Sequence, residues 1–377
     1  MDPAIRLLQD LVAIDSVNPS LVPGAAGERQ IARFIADEMR AAGLDVEMED
    51  AAADRPNVVG ILEGRTPGRT LMFCGHTDTV GVAGMARPFS PETRDGRLFG
   101  RGAQDMKGGL AAMLAAVRFV AGHGGPASGR ILVAAVADEE HGSAGAEALV
   151  KHWTADAAVV TEPTDLAIGI GHKGFDWIEL ETLGRAAHGS RPQEGEDAIL
   201  RLGRVLSALE TLDRALQARA PHPLVGAASL HASVVSGGRE WSSYPDRAVL
   251  QMERRTLPGE PASAALDEAR AIVAQLRAAD PSFRGSARHV FGRPAYEIAP
   301  AHDLPQRLGA AIGRAGGAVR VAGASFWTDA AILAAAGIPA VLFGPGGAGL
   351  HSIEEWVTVA DVLLCRDALV ELARTYG

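Results

Sequence analysis

Apolar positions recur along the chain with two alternating periods. Ile5, Leu8, Leu11 and Val12 lie at helical spacing and predict an amphipathic helix near the start. Residues 28–42 repeat that period, with Ile31, Phe34, Ile35 and Met39 on one face and Gly43 as the stop. LDVEMED alternates like a strand, and NVVGILEG reads as the next. Leu71–Val80, LMFCGHTDTV, opens with four apolar residues and ends in His76 and Asp78. A glycine-rich turn carrying Asp105 precedes an apolar helix at 109–121. ILVAAVADEE is almost continuously apolar until Asp138, Glu139 and Glu140, and AAVVTEP repeats the design with Glu162. Strands apolar on both faces predict a parallel sheet covered by helices. Three of them deliver polar residues at their C-terminal ends, where open α/β sheets place their sites.

From about Gly174 the texture changes. FDWIELETLG alternates as a strand, followed by a helix at about 197–218, the strands SLHASVVSGG and AVLQMERRTL, a helix at about 263–279, and ARHVFGR. That β-α-β-β-α-β order resembles a ferredoxin-like unit inserted into the larger sheet. Helical patterns resume at 303–316 and 330–336, PAVLF is a buried strand, GPGGAGLHSIEEW is a loop carrying His351, and the end is helical.

Composition narrows the classes. Forty-seven per cent hydrophobic and 22% charged residues over 377 positions give a core ample for about two globular domains. A formal charge of -10 argues against a nucleic-acid footprint. Two cysteines, Cys74 and Cys365, make no disulfide framework, so a reducing, cytoplasmic setting is expected. Cys74, inside an apolar strand, reads as a small core residue. Asp2, Arg6, Asp10 and Asp15 interrupt the first apolar stretch, which lacks a signal peptide's apolar region, and no run is long enough to span a bilayer.

His76 and Asp78, two apart in extended chain, share a face. A ligating histidine commonly gives its second ring N–H to a carboxylate, so Asp78 reads as the partner that orients His76. Adding Asp105, Glu139, Glu140, Glu162 and His351 gives imidazole and carboxylate donors that suit zinc. One zinc needs only three or four, and the surplus points to two ions sharing a carboxylate. Neighbours in extended chain, Glu139 and Glu140 diverge: one ligand, one base. The blander readings are a charged strand end for the glutamates and a helix cap for Asp105. GPGGAG imitates a dinucleotide fingerprint, but no βαβ unit follows it.

Seven stretches in order (GHTDTV, GRGAQDMKGG, ADEEHGSAGA, VVTEPT, AHGSRPQEGEDAI, ERRTLPGE and GLHSIEEWV) resemble the metal-dependent deacylase family that includes acetylornithine deacetylase, succinyl-diaminopimelate desuccinylase, aminoacylase and the glutamate-releasing carboxypeptidase. The resemblance spans essentially the whole chain. It implies a zinc-exopeptidase-like α/β catalytic domain with a mixed central sheet flanked by helices, residues 1–173 and 292–377, and an inserted ferredoxin-like lid and dimerisation domain, 174–291. It implies two Zn2+ per chain, with Co2+ or Mn2+ as substitutes. His76 and Glu162 would hold one ion, Glu140 and His351 the other, and Asp105 would bridge them. Asp78 would orient His76 and Glu139 would be the general base. The Asp105–Met106 peptide would be cis. His188 would reach a neighbouring subunit's site and stabilise the oxyanion, and Arg255 would contact a substrate carboxylate. The chain departs from relatives at Ser242 and Ala331, positions that tend to touch substrate. The implied activity is hydrolysis of an N-acyl amino acid by a homodimer with no nucleic-acid or membrane partner. Dipeptidase or carboxypeptidase chemistry on the same site is the alternative, and a catalytically silent metal-stabilised binding protein the distant one.

Overall fold

The computed structural model describes residues 1–377. In chain order the elements begin with α1 (Pro3–Ala13), α2 (Arg29–Ala41), β1 (Asp45–Ala52), β2 (Arg55–Glu63), β3 (Thr70–His76), β4 (Glu92–Arg94) and β5 (Arg97–Phe99). After a wide turn at Ala103–Lys107 come α3 (Gly108–Gly122), β6 (Arg130–Val136), α4 (Ala144–His152), β7 (Ala157–Val160) and β8 (Ile168–His172). Then follow β9 (Gly174–Leu183), α5 (Ala198–Ala218), β10 (Ser229–Gly237), β11 (Arg247–Thr256), α6 (Ala264–Ala279), β12 (Arg284–Arg293) and β13 (Tyr296–Glu297). The chain closes with α7 (Asp303–Arg314), β14 (Val321–Ala324), α8 (Ala330–Ala335), β15 (Ala340–Leu342), β16 (Gly347–Ala348), β17 (Trp356–Thr358) and α9 (Val359–Thr375). None of the helices is long and apolar enough to cross a membrane.

Two compact units result: Met1–Ile170 with Ile298–Ala322 and Thr328–Gly377, and Gly171–Glu297 with Gly323–Trp327. The large sheet has the order β1-β2-β6-β3-β7-β15-β8-β13, with β14 paired to β8. Its middle strands β6, β3, β7 and β15 are parallel, while β1, β2, β8 and β13 join antiparallel. The expected parallel arrangement therefore holds where strands are buried on both faces. It gives way at the flank, where a two-residue turn makes β1 and β2 a hairpin. A small sheet, β16-β17-β5-β4, pairs Trp356 with Phe99 and Thr358 with Arg97. These strands of two or three residues are too short to show a period in sequence, and α4 is only nine residues long.

The apolar helix α3 packs against α1 and α9 and runs close to the sheet. Closeness is set by Gly109, where an added Cβ would stand 2.0 Å from the carbonyl oxygen of Thr161. That contact locks the start of α3, just after Asp105, against the end of β7, just before Glu162.

The second unit is a four-stranded antiparallel sheet, β10-β11-β9-β12, with α5 and α6 on one face. Ile178, Leu180, Leu250 and Met252 of the sheet meet Leu202, Val205 and Ile272 of the helices. On this helix face Arg254 is fully buried and satisfied by Glu260 and Glu268. The order β9-α5-β10-β11-α6-β12 is the ferredoxin-like one. Its extent differs from the expected 174–291. Residues 323–327, expected in the first unit, belong here because Trp327 donates its indole N–H to the Pro294 carbonyl (3.2 Å) and meets Phe175 edge-on at 6.3 Å.

Gly109→Ala is expected to lower stability by about 1–3 kcal/mol, the usual cost of overpacking. Denaturant unfolding measures it, and an unchanged midpoint would refute the close-approach argument.

Candidate metal centre

The ends of three parallel strands and two loops converge in the first unit. β3 ends at His76, which is buried. Its Nδ1 lies 3.0 Å from the main-chain carbonyl of Asp78 and 3.6 Å from that residue's carboxylate. The nearer partner of the ring is thus the carbonyl. The Asp78 carboxylate is engaged elsewhere as well. It accepts the N–H groups of Glu139 and Glu140 (both 3.1 Å) and the side-chain amide of Asn18 (2.7 Å). It thereby fixes the two glutamates that follow β6.

That turn is held from behind. Asp138 takes a positive φ of 69°, a conformation few non-glycine residues adopt. Its carboxylate accepts from Asn18 (3.1 Å), Arg55 (2.6 Å) and the Ala144 N–H (3.3 Å). Arg55 is shared with buried Glu28, and Asn57 ties the Ala137 N–H to the Gly145 carbonyl.

Asp105 follows the other route. It sits in the wide turn before α3, and the Asp105–Met106 peptide is cis, as the resemblance implies. Glu355 shapes that turn. One of its carboxylate oxygens accepts the Gln104 and Asp105 N–H groups (2.9 and 3.1 Å), the other the Gly102 N–H and the Arg101 guanidinium (3.0 and 2.6 Å). Arg101 also donates to the Ser352 carbonyl at 2.9 Å. Glu355 thus joins the Asp105 turn to the loop carrying His351, whose own φ is 58°.

The predicted donors meet. His76 Nε2 is 3.1 Å from Asp105 Oδ1 and 4.0 Å from Glu139 Oε2. His351 Nε2 is 3.5 Å from Asp105 Oδ2 and 3.1 Å from Glu140 Oε2. Donors of His76, Glu139 and Glu162 lie within 4.8 Å of one another, as do those of His76, Asp105 and Glu140. His188 and Arg255 belong to the second unit. His188 there shares a hydrogen bond with Ser190 Oγ at 2.8 Å, and Arg255 pairs with Glu253 at 2.6 Å. Of the two positions where the chain departs from relatives, Ala331 is buried in α8 and Ser242 lies in an exposed turn.

Electrostatically the centre asks for cations. Burial, then the Glu162 charge, pushes the Glu139 carboxyl well up. Burial and Asp105 raise Glu140 to about 7, and burial raises Glu162 far above the usual range. Burial would raise Asp105 too, but His351 and His76 hold it well below the ordinary value. His351 is in turn raised to about 10 by Asp105 and Glu140. His76 rises despite burial, through Asp105 and Asp78. Asp329, at the start of α8, adds to the negative field on Glu139 and Glu162. Glu140 Oε1 and Glu162 Oε1 are buried with no hydrogen-bond partner. Orphaned carboxylate oxygens beside two imidazoles fit a divalent ion.

Sequence reasoning did not assign roles to Asn18, Arg55, Glu28, Arg101 or Glu355. Glu355 stands inside the GLHSIEEWV stretch, four residues after His351, which is a usable signal. Asn18 and Arg55 have none, being isolated polar residues of a loop and a strand start.

A family model described as peptidase family M20/M25/M40 matches residues 72–375. The chain is 30% identical over 382 residues to an acetylornithine deacetylase of Myxococcus xanthus, covering 97% of this chain and 96% of that one. In fold it matches a tripeptidase of Staphylococcus aureus at TM-score 0.80 and 20% identity, covering 99% and 97%. It also matches a dinuclear metal-binding M20 peptidase of Bacillus subtilis at TM-score 0.76 and 16% identity, covering 99% and 97%. The α/β fold and its acid-rich strand ends are those of a hydrolase acting on amide bonds. The chain belongs to peptidase family M20/M25/M40.

Glu355→Ala leaves the Arg101 guanidinium buried beside three unpartnered N–H groups. A stability loss of about 3–5 kcal/mol is expected, as for a broken buried pair. Metal content by plasma emission should fall with it, and a variant with normal unfolding and full metal would remove Glu355 from this role.

Proposed function

We propose that this chain hydrolyses the amide of an N-acyl amino acid, using two divalent ions. Zinc suits the donor set, with cobalt or manganese as substitutes. The single observation that carries the reading is the Asp105 carboxylate, which offers one oxygen to His76 and the other to His351 (3.1 and 3.5 Å). A carboxylate divided between two imidazoles is what a shared ligand requires. His76 and Glu162 would then hold one ion, Glu140 and His351 the other. The approach of His351 to Glu140 at 3.1 Å, with Glu139 nearer His76, supports giving Glu140 the ligand role and Glu139 that of the base.

When bound, the ions supply Lewis acidity to a water and to the scissile carbonyl. Glu139 accepts the proton of the attacking water and passes it to the departing nitrogen. Asp78 keeps Glu139 in place through its N–H and keeps the His76 ring oriented. The resemblance assigns His188 of a partner subunit to the developing oxyanion, and Arg255 to the carboxylate of the amino-acid portion. Homodimerisation through the second unit belongs to this reading, as does a cytoplasmic setting. Cys74 and Cys365 are free and buried, which accords with the latter. The resemblance associates Glu at the position of Glu162 with deacylases and Asp with peptide-cutting members, which favours a deacylase over a dipeptidase.

Enzyme prepared without chelator should contain close to two metal ions per chain. Glu139→Gln should lose about 10²–10⁴-fold in kcat while keeping both ions, since a base is removed and the ligands remain. Glu140→Gln should lose metal as well. Near-normal turnover of the Glu139 variant would overturn the assignment. One amino acid presented both ways, as N-acetyl-X and Ala-X, decides the substrate class by kcat/KM. Preference for the free dipeptide would place the chain with the peptidases.

The trans role of His188 is tested by mixing inactive His188→Ala and Glu139→Gln chains. Hybrid dimers should recover part of the activity. A fully active monomer in sedimentation would exclude the trans role.

A further inference from the structure

One buried side chain of the first unit reaches Glu139 from two directions. Asn18, in the loop after α1, is buried, as are Asp78 and Asp138. Its Nδ2 gives one hydrogen to Asp78 Oδ2 at 2.7 Å and the other to Asp138 Oδ1 at 3.1 Å. Its Oδ1 accepts the Ser20 N–H at 2.8 Å. Both hydrogens and the oxygen of the amide are spent, which fixes its orientation. The main chain adds to this. The Asn18 N–H donates to the Thr79 carbonyl at 2.9 Å, and the Thr79 N–H donates to the Ser16 carbonyl at 3.0 Å. The loop therefore runs beside the stretch that carries Asp78.

The two carboxylates bracket Glu139. Asp78 Oδ1 accepts the Glu139 N–H and Oδ2 the Glu140 N–H, both at 3.1 Å. Asp138 immediately precedes Glu139 and sets the direction of the chain there with its φ of 69°. A non-glycine residue keeps such a conformation only where its surroundings over-determine it. Arg55 and the Ala144 N–H secure Asp138, and Asn18 joins Asp138 to Asp78.

The Asp78 carboxylate has a competing partner. His76 Nδ1 stands 3.6 Å from Oδ1, the same oxygen that holds the Glu139 N–H. Turning the carboxylate toward the ring would shorten that contact and release the Glu139 amide. The bond from Asn18 to Oδ2 opposes that turn. The two glutamates also differ in what else could hold them. A bound ion would fasten Glu140 through its own carboxylate. Glu139, read as the base, gains no such bond, so its place depends on the main chain.

We infer that Asn18 is a positioning residue for Glu139. It clamps the main chain on both sides of that residue, through Asp78 and Asp138, and so sets where the carboxylate of the base stands. This role rests on the reading of Glu139 as the base, and is independent of which acyl group or amine the substrate carries.

Asn18→Ala and the isosteric Asn18→Asp test it in the metal-loaded enzyme. Aspartate keeps the acceptor for the Ser20 N–H but puts a third carboxylate where the two donors stood. Each variant should keep both ions and, per folded chain, lose about 10–10²-fold in kcat with KM unchanged, the scale of a misplaced catalytic group. Should Asn18→Asp fail to fold, Asn18→Ser, which keeps one donor, replaces it, with a kcat loss smaller than that of Asn18→Ala. Hydrogen exchange read by mass spectrometry needs no turnover. It should quicken in the peptide spanning 137–143 and stay unchanged in the one spanning 102–108. Near-normal kcat in Asn18→Ala, or unchanged exchange across 137–143, overturns the positioning role. So does loss of an ion along with kcat, which would make Asn18 a support for Glu140 as ligand. Faster exchange throughout the first unit would make it a packing residue instead. Near-normal turnover of Glu139→Gln ends the base reading and the positioning role with it. An inactive Glu139→Gln beside a fully active Asn18→Ala ends the positioning role alone.

Discussion

The constraint on which this structure turns is the burial of like charge. Five carboxylates, those of Asp78, Asp105, Glu139, Glu140 and Glu162, stand at or beside the ends of parallel strands, largely removed from water. Burying an ionised group without compensation is among the most costly things a fold can do. Each carboxylate is accordingly given something to do or is left raised. Asp78 is compensated by His76 and then by N–H donors, and Asp105 by two imidazoles, whereas Glu139, Glu140 and Glu162 keep elevated values that bound cations would reverse. The surrounding apparatus can be understood as what makes that concentration tolerable. It includes the Asn18–Asp138–Arg55–Glu28 network behind the β6 turn and the Arg101–Glu355 pair beneath Asp105.

Much of this was legible in sequence because burial and chemistry coincide there. His76 and Glu162 end apolar strands, and a polar residue at the end of an apolar run is visible without coordinates. The paired glutamates after β6 were visible for the same reason. What stayed hidden was the support. Arg55 opens a strand like any surface arginine, and only the fold reveals that its partners are Glu28 and Asp138, 27 and 83 residues away. The strands β4, β5, β16 and β17 have no period because two or three residues cannot show one. Residues 323–327 look like part of the terminal region, yet they follow Trp327 into the second unit, a choice made by ring packing that no local pattern encodes.

The second unit shows the same division between faces. One side of its sheet is an ordinary core, and its one fully buried cation, Arg254, is balanced by Glu260 and Glu268. Its neighbour Arg255 points the other way by the alternation of a strand, and there it pairs with Glu253. Two adjacent arginines in ERRTLPGE thus have opposite fates, fixed by the parity of their positions.

The Glu355 carboxylate accepts from backbone N–H groups some 250 residues earlier in the sequence. During synthesis the strands bearing His76, Glu139 and Glu162 emerge together, within fewer than ninety residues. The turn that presents Asp105 lacks its anchor until the stretch around 350 has also left the ribosome. Until then the chain carries a nearly complete acidic centre whose Asp105 turn is not yet fastened. Completion of the centre is a late event, tied to arrival of the same segment that brings His351.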